Sequence, residues 1–246
     1  MTEYIENLVW DTEFFSVSIG RIKISVLDDE TVAVVLDDAH KDGLRCLYFE
    51  ADSNDRTTVL TAERNGFHLV DIRVVLEYSF GDPPMLSTKY PIPSELIITE
   101  AVESDMPRLE EIAMMVGKFS RYTFDDNFRS DEIERLYRTW IRNSIHGLAD
   151  DVYVARWARE DGDVVGLVTC LTRGEIGFIN LMGVHNANRR MRIGVGLVQF
   201  ALEWAVNRNL GSMQVVTQGR NVAAQRLYQR MGFITKSTTL FYHKWF

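Results

Sequence analysis

The chain has 246 residues and a formal charge of −8, with 46% hydrophobic and 25% charged residues. That composition is ordinary for a folded globular protein and excludes a disordered chain, while the acidic balance argues against wholesale binding of nucleic acid or an anionic membrane. Cys46 and Cys170 are the only cysteines, the histidines lack ligand spacing and no apolar run is long enough to span a bilayer, so the chain reads as a cytoplasmic protein with buried thiols and no metal.

In chain order, Gly20 to Val26 reads as a strand and Asp29 to His40 as a helix. A strand at Arg45 to Ala51, a helix from Asp55 to Arg64 and a strand from His68 to Tyr78 complete a β-α-β-α-β order, the mark of an α/β layer structure. Pro83, Pro84, Pro91 and Pro93 then remove amide donors within one short stretch, which reads as a linker over 81–95 between an N-terminal lobe, 1–80, and a second domain, 96–246.

The second part opens with a strand at Leu96 to Ala101 and a helix from Ser104 to Val116, capped by Ser104 or Asp105. Lys118 to Phe128 breaks the periodicity before a helix from Ser130 to about Ile145. Val152 to Trp157, Val164 to Thr172 and Ile176 to Val184 are separated by Gly162 and Gly174 and predict an antiparallel meander. A helix follows Gly196, then a strand at Met213 to Thr217, a helix at Asn221 to Met231 and a final strand at Phe233 to Trp245.

The chemistry concentrates between Arg189 and Gly196, Arg-Arg-Met-Arg-Ile-Gly-Val-Gly. Alternate glycines let backbone approach a ligand, and the first turn of the next helix leaves amides free for phosphate. Three arginines in an acidic chain favour an anion here; the plain alternative is a solvated basic turn. Asn221 reads as a helix N-cap, and Tyr228 stands seven residues on, two turns away along the same edge.

Met191 to Gly196, Asn221, Ala224, Tyr228 and Gly232-Phe233, in this order of strands and helices, resemble the GNAT superfamily of acetyl-CoA-dependent N-acetyltransferases over 96–246. The resemblance implies an α+β GNAT fold, a mixed central sheet flanked by helices, preceded here by the smaller lobe. Met191 departs from the Gln or Arg usual at that place. The resemblance further implies that Gly183 and Val184 bond the cofactor arm, that the amides of Met191, Arg192, Ile193, Gly194, Val195 and Gly196 cradle pyrophosphate with Arg189 or Arg192, that Asn221 and Ala224 line the pantetheine, and that Tyr228 is the general acid.

Val9 to Phe15, Phe119 to Tyr122, Trp140-Ile141, Asn143 and Thr217-Gln218 resemble members acting on a TDP-linked 4-amino-4,6-dideoxy sugar, with Arg121 and Tyr122 as substrate contacts. Another small amine, a peptide amine or a non-catalytic acetyl-CoA-binding module are the alternatives, and a homodimer is left open. The base stays open among Asp11, Glu13, Asp125, Asp126 and His185.

A shift of 166 residues places Gly66-Phe67 on Gly232-Phe233 and Asp55 on Asn221. Tyr228 then falls on Ala62, and Gly194 to Gly196 on Asp28, Asp29 and Glu30. Carboxylates would repel a pyrophosphate, so the N-terminal lobe is expected to be a half-copy without a cofactor, or a docking lobe of unrelated ancestry.

Overall fold

The computed structural model describes residues 3–81, 90–158 and 162–246. Pro83 and Pro84 of the expected linker lie outside that range. Among the described residues, seven α-helices and ten strands are formed. The first lobe holds β1 (Ile5–Asn7), α1 (Val9–Phe15), β2 (Ile19–Ile22), α2 (Asp29–Lys41), β3 (Cys46–Asp52), α3 (Arg56–Arg64) and β4 (His68–Ser79). After it come β5 (Leu96–Glu100), α4 (Met106–Gly117), α5 (Ser130–Asn143), β6 (Asp151–Trp157), β7 (Val164–Arg173), β8 (Ile176–Val184), α6 (Ile193–Asn207), β9 (Ser212–Gln218), α7 (Val222–Arg230) and β10 (Ile234–Trp245).

Two differences from the sequence reading have local causes. The strand expected at Gly20 to Val26 ends at Ile22, because its run is only half apolar and its partner β2–β3 pairing stops at Arg21. Asp105 does not cap α4 with its side chain; it accepts from the Val102 amide at 3.0 Å and so closes the turn before the helix.

All ten strands form one mixed sheet in the order β1-β2-β3-β10-β4-β9-β8-β7-β6-β5. β10, from the end of the chain, therefore lies between β3 and β4 of the first lobe, and β4 lies between β10 and β9. The shift of 166 residues carries β3, α3 and β4 onto β9, α7 and β10, end residue for end residue. The registers obey it too: Thr239↔Asp52 in β10–β3 becomes Arg73↔Gln218 in β4–β9. Even the irregularities correspond, with Lys236 skipped in β10 and Val70 skipped in β4. Each half thus lends its last strand to the other.

Three cores follow from this exchange. One packs α6 and Tyr228 on Val74, Leu76 and Val215, and another packs α2 and α3 on Leu47, Phe49 and Tyr242. In the remaining core Phe15, Ile19, Cys46, Tyr48 and Val70 of the first lobe share apolar contacts with Leu109, Ile112 and Ile141 of α4 and α5. Area removed from water across that seam belongs to both lobes at once.

Candidate active site

β8 and β9 run parallel but are paired only from Ile176↔Ser212 to Ile179↔Val215. Beyond that point β8 continues to Val184 against β7 and β9 continues to Gln218 against β4. Their facing edges therefore part, leaving backbone donors and acceptors that a ligand can satisfy. Gly183 sits in the parted stretch, where a Cβ would stand 2.8 Å from methyls of both Ile112 and Val116, so α4 presses on the wedge as closely as a glycine allows.

The first turn of α6 closes the mouth of this wedge. Arg190 and Arg192 both adopt positive φ, 65° and 60°, which turns the chain sharply into the helix. The Gly196 amide already bonds the Arg192 carbonyl at 3.2 Å, leaving the amides of Ile193, Gly194 and Val195 without intrahelical partners. No acidic residue lies in that turn. A Cβ on Gly194 would lie 3.0 Å from Leu227 and 3.9 Å from Val184, so α6, α7 and the end of β8 converge there. Gly196 instead packs against Leu96, where a Cβ would come within 2.9 Å. Arg189 and Met191 are exposed, and Arg192 spends one donor on the Pro91 carbonyl at 3.3 Å.

α7 forms the opposite wall. Asn221 Oδ1 accepts from the Ala224 amide at 3.2 Å, so only its Nδ2 remains for a ligand and Ala224 offers its methyl. Gln225 donates to the carbonyls of Gln218 and Gly219, 3.0 and 2.9 Å, which pins α7 to the end of β9. Tyr228 is buried against Phe233, and burial, with no hydrogen bond to offset it, pushes its phenol well above the ordinary value, keeping it protonated.

The matching place in the first lobe is a pocket with acidic lining, bounded by Asp28, Asp29, Glu30, Thr61 and Arg64. Asp28 caps α2 by accepting from the Thr31 amide at 2.7 Å, and Asp29 and Glu30 occupy its first turn. An amide that would face phosphate is already bonded to a carboxylate.

What the first lobe does supply is Asp71. The skipped residue Val70 lets Val70 and Asp71 turn toward the same side of β4, a usual effect of a bulge. Its side chain is only 10% exposed and lies 3.5 Å from Arg220 Nη1. Burial raises this carboxyl to about 6, against the pull of Arg220 and Arg121. Arg220, two residues past the end of β9, donates to the Val70 carbonyl at 2.6 Å and stacks on Phe124, its Cζ 3.5 Å from the ring centroid. Asp71 is thus held beside the parted end of β9 by Arg220, the residue before Asn221. Sequence reasoning missed it; the signal was an acid set in the apolar run of β4.

Arg121 and Tyr122, both expected to contact substrate, meet here. Arg121 Nη2 donates to the Tyr122 hydroxyl at 2.6 Å, which lies 3.4 Å from Asp11 Oδ1. The guanidinium also lies over Phe241, at 4.4 Å, whose backbone is paired with Asp71. Among the described residues, the sealed side-chain atoms without a hydrogen bond are Tyr48 Oη, Arg121 Nε, Arg220 Nη1 and His243 Nε2, all around this cluster. The Arg121 and Arg220 nitrogens and the Tyr48 hydroxyl are donors, while His243 Nε2, whose partner Nδ1 carries the proton given to Asp125, is an acceptor.

The other base candidates fare differently. His185 Nε2 lies 3.1 Å from Glu111 on α4. Asp125 accepts from His243 Nδ1 at 2.6 Å, Trp245 Nε1 at 2.9 Å and Asn127 at 2.8 Å, and these bonds outweigh burial and hold its carboxyl near 2. That carboxylate clamps the 118–128 segment to β10. Burial depresses His243 to about 4 despite its Asp125 partner. Between the ordinary value near 6.5 and about 4, the unfolded chain takes up a proton that the folded chain refuses, so stability falls as pH falls through that window. Asp71, whose raised carboxyl contributes with the opposite sign over the same range, offsets part of this in the wild type, so the readout is the difference: from pH 7 to 4.5 the thermal midpoint of His243→Gln is expected to hold up several degrees better than that of wild type.

Residues 116–233 match the Acetyltransferase (GNAT) family. The spore coat polysaccharide biosynthesis protein SpsD of Bacillus subtilis is 29% identical over 176 residues, which are 71% of this chain and 56% of that protein, so the match spans little more than half of that relative. The dTDP-fucosamine acetyltransferase of Escherichia coli O6:H1 is 27% identical over 98% of this chain and 97% of its own. A GCN5-related N-acetyltransferase from Sphaerobacter thermophilus shares the fold, with a TM-score of 0.65 at 12% identity over 98% of this chain and 76% of that one.

Proposed function

We propose that this chain, which carries a GNAT acetyltransferase domain, transfers the acetyl group of acetyl-CoA to the amino group of a nucleotide-linked 4-amino-4,6-dideoxy sugar. The observation that carries the reading is the convergence of the acid-free first turn of α6, the parted edges of β8 and β9, and Asp71 at the wedge's far end. The names of the two curated relatives support a sugar acceptor and a role in cell-surface polysaccharide synthesis.

The residues present fit acetyl-CoA. Amides of Ile193, Gly194 and Val195 face the pyrophosphate, with Arg189 nearby; the free backbone of Gly183 and Val184 and Asn221 Nδ2 take the pantetheine arm. Acetyl-CoA supplies an acyl thioester whose C–S bond breaks as the amine nitrogen bonds to the acyl carbon. Asp71 takes the proton the amine gives up, and Tyr228 donates its phenolic proton to the departing sulfur. Arg121, Tyr122 and Asp11 orient the sugar. The first lobe has no cofactor of its own and acts as the half-copy that completes the acceptor side.

Tyr228→Phe is expected to lower kcat about 10²-fold with little change in acetyl-CoA affinity; unchanged turnover would remove Tyr228 from the mechanism. The assignment itself is tested by offering TDP- and UDP-linked amino sugars with acetyl-CoA and reading thiol release and product mass. Silence on every sugar, with activity on a peptide or polyamine, overturns the acceptor class and keeps the transferase.

A further inference from the structure

α1 is seven residues long and held firmly: Thr12 Oγ1 accepts from the Ile19 amide at 3.0 Å, and Phe15 is buried against Tyr122 and Phe128. Yet Trp10, on the same helix, is 47% exposed. Its indole is not loose. It stacks on Phe14 with centroids 5.0 Å apart and 14° between planes, and Arg135 backs Phe14 with its Cζ 4.4 Å from that ring and Nη2 donating to the Phe14 carbonyl at 2.6 Å. A rigid, half-exposed indole with one face occupied offers the other to a flat ring.

Its place gives that ring an identity. Asp11, the next residue, meets Tyr122; Tyr122 meets Arg121; Arg121 lies over Phe241, which is paired with Asp71. One line of contacts thus runs from the proton acceptor to the indole. Arg21 and Arg135 stand exposed at the outer end, Arg21 paired with Glu6 at 2.7 Å and close enough to Asp11 to act on its charge. An acceptor that fits has an amine at one end, an anionic middle and a flat ring at the other.

We propose that Trp10 is the platform on which the nucleobase of the acceptor stacks, with the acceptor's diphosphate facing Arg135 and Arg21. This rests on the acceptor class proposed above and adds the residue that distinguishes a nucleotide-linked sugar from a simple amine.

The test compares wild type, Trp10→Ala and Trp10→Phe on a TDP-linked 4-amino sugar and on the same amino sugar as its 1-phosphate. Base–aromatic stacking sets the scale: Trp10→Ala raises KM for the TDP-linked sugar about tenfold with kcat within about twofold, Trp10→Phe recovers most of the loss, and kcat/KM for the 1-phosphate does not change. Calorimetry with TDP alone shows the same loss in Trp10→Ala. Equal KM in all three proteins, or an equal penalty on both sugars, overturns the platform. A wild type that acetylates only a peptide or polyamine overturns the acceptor class instead, and is seen before any variant is made.

Discussion

Asp71→Asn lowers kcat/KM for the acceptor by about 10²- to 10⁴-fold, the span that a positioned general base contributes, and leaves acetyl-CoA affinity unchanged. The acid limb of the wild-type profile is set by this carboxyl: burial holds it at about 6 instead of the ordinary 3.8, so the group is a base above about 6 and is protonated, and idle, below. kcat/KM therefore falls as pH drops through about 6 in the wild type, and that limb disappears in Asp71→Asn. The same shift makes the variant's stability informative. A carboxylate whose folded value is raised is harder to ionise in the folded state, so its ionisation above about pH 6 costs stability that the amide does not. Asp71→Asn should melt no lower than wild type at pH 8, and higher if Asn keeps the Ile72 amide bond, which Asp71 Oδ1 accepts at 2.9 Å. A variant that is inactive because it is unfolded would show the opposite, and an active, stable one would remove Asp71 from the chemistry.

Arg220 sharpens this case. Its guanidinium touches three parts of the site: the Asp71 carboxylate, the Val70 carbonyl and the Phe124 ring of the acceptor segment. It also stands between Gly219 and the Asn221 cap, so the proposed base, the proposed acceptor segment and the start of α7 are held together by one side chain. Positioning of this kind sets how often an amine meets the thioester in a reactive geometry.

Most helices and strands in both halves of the chain were legible because their periodicity is strong and their caps are conventional: Asn221 and Asp55 do what their residue types do at helix starts. Ile176–Val184 was readable to the residue. The internal echo was legible as well, although few identities carry it, because strand, capped helix and Gly-Phe turn recur in register. The strand exchange was not. That β10 would enter between β3 and β4 depends on pairing across more than 160 residues, as in Thr239↔Asp52, and no local pattern encodes such a choice of neighbour. Asp71 was hidden for the same reason: it reads as one acid in a strand until β9 and Arg220 are brought beside it. The proposed pyrophosphate turn, residues 191–196, is contiguous in sequence, whereas the proposed acceptor side is assembled from α1, β4, the segment around Arg121 and β10, four pieces that only the fold unites.

Gly194→Asp abolishes acetyl-CoA binding while leaving the fold in place. The position lies in the first turn of α6, where a carboxylate is compatible with the helix dipole, so helix formation is not at risk. The close contact of its Cβ is with the end of the Leu227 side chain, at 3.0 Å, a group able to shift, and Val184 stands at an ordinary 3.9 Å. What changes is the charge beside the free amides of Ile193 and Val195. The first lobe shows the consequence: its α2 carries Asp28, Asp29 and Glu30 at the matching place, and Asp28 bonds the Thr31 amide itself. An aspartate at residue 194, two residues past the Arg192 cap, would set a negative charge among these amides and repel a pyrophosphate at close range. Calorimetry should find no heat of binding with acetyl-CoA, together with circular dichroism and a thermal midpoint close to wild type. Binding at wild-type strength by that variant would exclude the α6 turn as the cradle. Gly196→Ala makes the contrast, since its amide is already spent on Arg192 and its Cβ presses on Leu96 at 2.9 Å. That variant should lose stability before it loses the cofactor, separating the glycine that packs the helix from the glycine that admits the phosphate.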